Sequence, residues 1–326
     1  MAANGFEGWV YEHAAYKKAM ESVCDVVDRA LGGGRPFVLS ILGQSGVGKS
    51  ELLQDMLARY AGCIGSSGHT RLLYIPVPSG ATTEALCARI VKTTMGDVEV
   101  RGKRHEVLDR ASQVVEGSER RILVLDEVNR LAETFTTERA QTKENRHTAD
   151  WLQEQFERKR ISLILTGLLH SVRVRTDNEQ LDSRAMRNVE LHPYDWSDEV
   201  ERAWFIQTVQ AFVNRLVALG WTVAEDDAEL VIKGAYLCSG GLMRRLHSLF
   251  AGSLELGADK RLDLQVLGRV FARDFPEAPY GNPFNLPSIS DTLLNMAHQN
   301  TLSLARTPSF QQSGRRPGKS RKSAPK

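Results

Sequence analysis

The stretch Ile41 to Leu53, "ILGQSGVGKSELL", passes from apolar residues through three glycines to a Lys-Ser pair and back to apolar residues. Just upstream, "FVLSIL" at 37–42 is a short run of β-favouring residues, the composition of a strand buried on both faces. Downstream, Leu52, Leu53, Met56, Leu57 and Tyr60 recur every three or four residues, which marks one face of a helix. Between strand and helix, Gly43, Gly48, Lys49 and Ser50 satisfy the spacing G-x-x-x-x-G-K-[ST] of a phosphate loop. In such a loop the backbone N–H groups of Gly43, Gln44, Ser45, Gly46, Val47 and Gly48 turn inward. The positive end of the following helix joins them to form a nest for phosphate oxygens. Lys49 is then placed to reach the β- and γ-phosphates and Ser50 to ligate Mg²⁺. Gly46 occupies a position where a Cβ would crowd the turn.

Further strands read at 71–77 ("RLLYIPV"), from 120 ("RRILVLDEV"), at 161–167 ("ISLILTG") and at 188–194 ("NVELHPY"). Helical periods separate them at 82–95, 105–117 and 144–160, the first with Thr82 or Thr83 as its cap. Strands alternating with helices predict an α/β domain over 1–194, built on a five-stranded, mainly parallel sheet covered on both faces. From Ser197 the pattern turns wholly helical. "SDEVERAWFIQTVQAFVNRLVALG" opens on a Ser cap and an acidic first turn and closes on glycine, and two further helical stretches follow. A small all-helical domain over 195–275 is expected, without a convincing strand and with Trp196, Trp204 and Phe205 in its core. The prolines of "PEAPYGNPFNLP" then end regular structure, and 276–326 reads as a flexible tail. Beyond Asp291 the tail has no acidic residue, while Arg306, Arg315, Arg316, Lys319, Arg321, Lys322 and Lys326 make it basic.

The 326 residues, 42% hydrophobic and 25% charged, have the balance of a soluble globular protein, and the net charge of +2 says little by itself. Cys24, Cys63, Cys87 and Cys238 form no C-x-x-C pair, so reduced thiols and a cytoplasmic location are expected. The opening "MAANGFEGWVYEH" has no basic and apolar leader pattern, and no run approaches the roughly 20 apolar residues of a membrane span.

A phosphate loop alone confers nucleotide binding; hydrolysis needs a second group. "ILVLDE" places Asp126 and Glu127 at the carboxyl end of a buried strand, where open α/β sheets gather their ligands. Asp126 would hold Mg²⁺ through water and Glu127 would orient and polarise the attacking water. Thr166 ends the next strand and would stand beside the γ-phosphate as a polar sensor. In "LDSRAMRNVEL", Arg184 or Arg187 could reach the γ-phosphate of a neighbouring subunit, since a planar cation stabilises charge on a transferred phosphoryl group. In "CSGGLMRRLHSLF", Arg244 or Arg245 could reach back from the helical domain, Arg244 being preferred.

This order of parts resembles an AAA+ ATPase: a phosphate loop, "LDE", a polar strand end, an arginine before the fifth strand, and a helical lid with G-x-x-R. Within that superfamily, "GQSGVGKS", "ILVLDEVNRL", "LILTGL" and "SRAMRNVEL" look similar to the TniB family of transposition ATPases, relatives of TnsC and MuB, over about residues 1–275. The family's histidine shortly after the acidic pair is here Asn129. The resemblance implies ATP and Mg²⁺ as ligands, and a homo-oligomeric ring or filament on double-stranded DNA. It also implies target-site selection and recruitment of a transposase. DNA would be held through its phosphates, without sequence readout, by Arg101, Lys103 and Arg104 in "EVRGKRHEV", with Lys143 and Arg146 in the polar loop "TTERAQTKENRH" as weaker candidates. Either cluster could instead be a solvated face, and the basic tail could touch DNA, dock on the transposase or only solubilise. Trp9, Tyr11 and His13 either flank the adenine or pack the amino-terminal segment. A replication initiator or loader of the same superfamily and a nucleotide-gated signalling switch are the alternatives. An initiator would want a carboxy-terminal winged helix and a switch an added effector domain. A small-molecule kinase would carry its substrate lid inside the first domain.

Overall fold

The computed structural model describes residues 5–306, apart from 67, 97, 136, 159, 225–227 and 276–279. The sheet consists of β1 (Val38–Gly43), β2 (Leu72–Pro76), β3 (Ile122–Asp126), β4 (Ser162–Gly167) and β5 (Val189–Leu191). All five are parallel and lie in the order β2-β3-β4-β1-β5. Five parallel strands were expected, and each lies where the sequence placed it to within two residues at either end, except that β5 stops at Leu191. The order puts β1 and β3 on either side of β4, so both strands that carry the glycine-rich and acidic motifs end on the same edge of the sheet.

Alternation along the strands sorts the side chains into two layers. Leu39, Ile41, Ile122, Val124 and Ile164 face α1 (Ala14–Leu31) and α2 (Lys49–Arg59). Val38, Leu73, Ile75, Leu123, Leu125, Leu163 and Leu165 face α3 (Thr83–Met95), α4 (Arg104–Gly117) and α6 (Glu138–Arg158), with the single turn α5 (Asn129–Ala132) beside them. Thr82, not Thr83, caps α3 by accepting from Ala85 N at 3.2 Å. Thr83 instead donates to Glu144 Oε1 at 2.7 Å through its hydroxyl, and its backbone N–H donates to the same oxygen at 2.7 Å.

The sequence reads 136–147 as a polar loop, but α6 already begins at Glu138. The apolar period fails there because the buried positions of its first half are Gln141, Glu144, Asn145 and Thr148. Each has a partner: Gln141 Nε2 donates to Leu131 O and Asn145 Oδ1, Asn145 Nδ2 donates to Asp177 Oδ2, and Thr148 Oγ1 donates to Glu144 O. A polar helix face can be buried when its hydrogen bonds are met inside the protein. Lys143 and Arg146 therefore stand on a helix and not on a loop.

After the short helices α7 (Arg173–Thr176) and α8 (Glu179–Ser183) and then β5, the chain enters the lid. The lid comprises α9 (Glu199–Ala218), α10 (Ala228–Ser239), α11 (Met243–Leu256) and α12 (Leu264–Asp274). The cap of α9 is Asp198 rather than Ser197: its Oδ1 accepts from Val200 N and Glu201 N, both at 2.9 Å. Trp196 and Phe205 are buried with Phe212, Tyr236 and Phe250, and Trp204 packs partly buried against them, so all three named aromatics belong to the lid core as expected. Two two-residue strands, β6 (Thr222–Val223) and β7 (Arg261–Leu262), pair in parallel within it, which the helical reading did not foresee.

Regular structure does not end at 275. A final helix, α13 (Asp291–Arg306), packs on α10 with Leu294 and Ala297 buried. Trp196 Nε1 donates to Asp291 Oδ1 at 3.1 Å at its start. "DTLLNMAHQNTLSLAR" is amphipathic, but it adjoins a Pro- and Ser-rich basic stretch whose composition masked it. The remaining tail, 307–326 with Arg315, Arg316, Lys319, Arg321, Lys322 and Lys326, lies outside the described residues.

Glu144 ties α3, α4 and α6 together from a buried position, and Arg104 is its ion-pair partner at 3.2 Å. Glu144→Ala leaves two Thr83 donors and one face of Arg104 unmet and should cost about 1–3 kcal/mol of unfolding free energy. Arg139→Ala, on the exposed side of the same helix, should change it by less than about 0.5 kcal/mol. Urea denaturation of the two variants against wild type measures both.

Candidate functional site

Lys49 begins α2 directly behind Gly48, so the helix amino terminus points at whatever the loop holds. The loop adopts the conformation that its glycines permit. Gly46 has φ +88°, and the Cβ of any other residue there would lie 3.1 Å from Arg244 Cβ of the lid. Gly43 has no room at all, since a Cβ would stand 2.3 Å from Leu191 O on β5.

A cavity of about 390 Å³ opens between this loop, the carboxyl ends of β3 and β4, the start of α11 and the amino-terminal segment. Ser45, Gly46, Val47, Gly48, Lys49 and Ser50 line its floor. Gly43 and Gln44 do not reach it. Their carbonyls accept from Lys49 Nζ at 2.7 Å each, which folds the ammonium along the loop. Asp126 and Glu127 stand opposite, with Asn129, Gly167 and Leu168.

Asp126 is buried and held on both oxygens: Oδ2 accepts from Tyr74 OH at 3.0 Å and Oδ1 from Glu127 N at 2.9 Å. Tyr74, on the neighbouring β2, was not singled out in the sequence; its hydroxyl is pushed up to about 12, by burial first and then by Asp126. Glu127 has φ +58°, a left-handed backbone that a residue with a side chain adopts at a cost. Its carboxylate pairs with Arg130, whose guanidinium also donates to Val77 O at 2.6 Å. Arg130 was likewise not anticipated, although it follows the acidic pair at helical spacing.

Ser50 and Asp126 present hydroxyl and carboxylate oxygens to one cavity. No group of three or more His, Cys, Asp or Glu side chains able to hold a metal occurs among the described residues. A hard oxygen set with few protein ligands fits Mg²⁺, which keeps several waters and shares phosphate oxygens.

Arg244 is the lid arginine that enters the cavity; Arg245 does not line it. Arg244 N donates to Gly46 O at 2.9 Å and its guanidinium to Ser45 Oγ at 3.3 Å. Trp9, Tyr11, His13 and Tyr16 close the far wall with Phe212, Met243 and His247. The amino-terminal aromatics pack that segment against the lid, one of the two readings the sequence offered for them, and they line the cavity as well. Trp9 packs on Phe6 and Phe212 at ring distances of 5.5 and 5.0 Å, and it also faces the cavity. His13 is buried, accepts from Tyr16 N as the cap of α1, and is held down at about 4 by that burial.

Thr166 does not reach the cavity. It is fully buried and its hydroxyl donates to Leu125 O at 3.1 Å, across to the adjacent strand. The polar-sensor position is thus not supplied by this side chain; Asn129 is the uncharged polar residue beside the acidic pair that does line the space. Arg184 and Arg187 are exposed and outside the cavity. In the candidate DNA loop, Arg101 pairs with Glu99 at 2.7 Å and Arg104 with Glu144, so Lys103 is the cation there without an ion pair among the described residues. The four cysteines are all unpaired, and no described helix is long and apolar enough to cross a membrane.

Burial lowers Lys49 to about 8; Asp126 pulls the other way and Arg244 adds to the lowering. A polyphosphate in the loop restores the charged form, so the bound pKa lies above the free one. The lysine's contribution to affinity is then complete below about pH 8 and is lost as pH rises through the bound value. Titration of a fluorescent adenine nucleotide should show the dissociation constant rising by up to about tenfold per pH unit above pH 8, and Lys49→Met should flatten that slope.

No curated protein matches the sequence closely enough to count as a relative. Residues 35–173 match the family model described as the AAA domain. Among solved structures, the chain is similar to the ORC1 protein of Aeropyrum pernix in complex with DNA, at 17% identity and a TM-score of 0.57 over 79% of this chain and 64% of that one. It is also similar to Cdc6p of Pyrobaculum aerophilum (15%, TM-score 0.54, 85% and 69%) and to Drosophila ORC bound to DNA (16%, TM-score 0.52, 79% and 60%). The chain thus spans less than two thirds of the first of these. At such identities the likeness is one of fold. That fold is the AAA+ P-loop fold: a parallel five-stranded sheet with its helices and a helical carboxy-terminal region, the AAA-domain match running from just before β1 to just after β4.

Proposed function

We propose that the protein is an ATP-hydrolysing assembly switch of DNA transposition. Copies would load on duplex DNA with ATP bound, offer the occupied DNA to a transposase as a target, and leave after hydrolysis. The observation that carries the reading is the composition of the cavity. Lys49, Ser50, Asp126 and Glu127 supply phosphate binding and water activation from one domain, and Arg244 of the lid closes on the same loop. Arg184 and Arg187 are left outside, exposed and available to a neighbouring copy. A site complete except for a trans-acting arginine couples hydrolysis to assembly.

In this site Lys49 leaves its two loop carbonyls for the β- and γ-phosphates. Ser50 and Asp126 would hold Mg²⁺, which supplies charge neutralisation for the phosphoryl group when bound. Glu127 accepts a hydrogen bond from the attacking water and aligns it. Trp9, Tyr11 and His247 offer aromatic faces for the base. DNA would be gripped nonspecifically at the α3–α4 connection, with Lys103 as its uncommitted cation. The reduced cysteines agree with a cytoplasmic setting. Likeness of fold to ORC1 and Cdc6 favours a second reading, an initiator or loader ATPase.

Electron microscopy of the protein with random-sequence duplex and a slowly hydrolysed ATP analogue separates the two. Continuous rings or filaments support the transposition reading, whereas one or two copies confined to a preferred sequence support the initiator. Lys49→Ala should abolish assembly. Glu127→Gln should lower turnover by about 100-fold or more while keeping the protein on DNA; normal turnover by that variant would remove Glu127 from its role. Lys103→Glu should weaken DNA retention and reduce its salt dependence by about one counterion, with ATPase activity unaltered.

A further inference from the structure

The solvent face of α6 carries a charge pattern that the nucleotide site does not use. In its first half Arg139, Lys143 and Arg146 are exposed, with His147 partly so. In its second half Asp150 and Glu157 are exposed and Glu154 is partly so. None of Arg139, Lys143, Arg146 and Glu157 has a hydrogen bond or ion pair among the described residues. Asp150 accepts from Asn178 Nδ2 at 2.8 Å and Glu154 pairs with Arg158 at 2.8 Å, each on one oxygen. Arg139 in the first turn and Glu157 in the last both stand against the helix dipole, beside Glu138 and Arg158, which follow it.

The spacing is symmetric. Arg139 and Glu157 are five full turns apart and share one angular position, about 27 Å from each other along the axis. Lys143 and Glu154 are separated by about three turns, and Arg146 and Asp150 by about one. The midpoints of all three pairs fall at or next to the height of Thr148, on the exposed side of the helix opposite that buried residue. A two-fold axis crossing the exposed side at that height, perpendicular to α6, preserves the lateral position of each side chain and reverses its height. It therefore sets every cation of one copy opposite an anion of the other: Arg139 on Glu157, Lys143 on Glu154, Arg146 on Asp150, and the reverse.

We propose that the exposed face of α6 pairs antiparallel with the α6 of a second copy of this chain, through a contact distinct from any shared nucleotide site. A polynucleotide fits the face less well, because Asp150, Glu154 and Glu157 would meet its phosphates over half the length. The contact consists of exposed ion pairs, each of small worth, so it is weak and salt-sensitive in free solution. It becomes effective where copies are already held close together, since the second contact is then intramolecular. It stands independently of the transposition reading and can be tested without nucleotide or DNA.

The test uses two charge-reversed full-length proteins. One carries Arg139→Glu, Lys143→Glu and Arg146→Glu; the other carries Asp150→Lys, Glu154→Lys and Glu157→Lys. By sedimentation velocity at low salt and without nucleotide, wild type should self-associate, each reversed protein should do so at least about tenfold more weakly, and an equimolar mixture of the two should recover association. Circular dichroism checks that α6 is intact in both. For an association too weak to sediment, tagged chains with Arg146→Cys and Asp150→Cys should form disulfides with each other faster than either forms with itself. Failure of the mixture to recover association, or equal cross-linking rates in all combinations, overturns the proposal. If the first reversed protein loses DNA retention while the mixture stays monomeric, the face belongs to a polynucleotide and the proposal also falls.

Discussion

Phosphate is held in water by many donors at once, and a protein that replaces them must gather several N–H groups at one point without burying any of them unpaired. The β1–loop–α2 unit meets that constraint by running a buried strand straight into a helix start. Much else in the fold follows from it. β1 must lie inside the sheet, between β4 and β5, for the loop to be fixed on both sides. Gly43 must lack a Cβ because β5 passes so close to it. The acidic strand β3 then lies on the far side of β4, near enough for Asp126 and Glu127 to face Lys49 across the gap and not beside it.

The same arrangement explains the electrostatics. Lys49 is half-hidden under the lid and next to a second cation, Arg244, and two carboxylates only partly offset this. Asp126 is kept in place by Tyr74 and a backbone N–H. Glu127 is held by its own strained backbone and by Arg130. One acid is therefore fixed by its neighbours' donors and the other by a cation.

How much of this the sequence disclosed depended on whether a residue's role shows in its local pattern. The strands of the sheet were legible because buried parallel strands are nearly continuous apolar runs. Lys49, Ser50, Asp126 and Glu127 were legible because their spacing is fixed by the loop and by the strand end. Tyr74 was not, because only the β2–β3 register brings it to Asp126, and Arg130, though three residues after Glu127, carries no pattern of its own that marks it as that acid's partner. Thr166 failed for the opposite reason: the strand end was right, but the side chain turned to Leu125 and away from the cavity. The early start of α6 was hidden by polar residues buried with their partners, and α13 by the composition of its surroundings. Arg244 was preferred to Arg245 in sequence by little, and the structure places Arg244, not Arg245, in the cavity.

The contact of Arg244 with the phosphate loop has a consequence of its own. Arg244 joins the loop twice, once through a guanidinium that substitution can delete and once through a main-chain N–H that it cannot. Removing the side chain would delete the contact to Ser45 and keep the one to Gly46. The main-chain contact and the side-chain contact are thus separable in kind. A lineage could retune or lose the second by point mutation, whereas losing the first would take a change in the backbone of the lid itself.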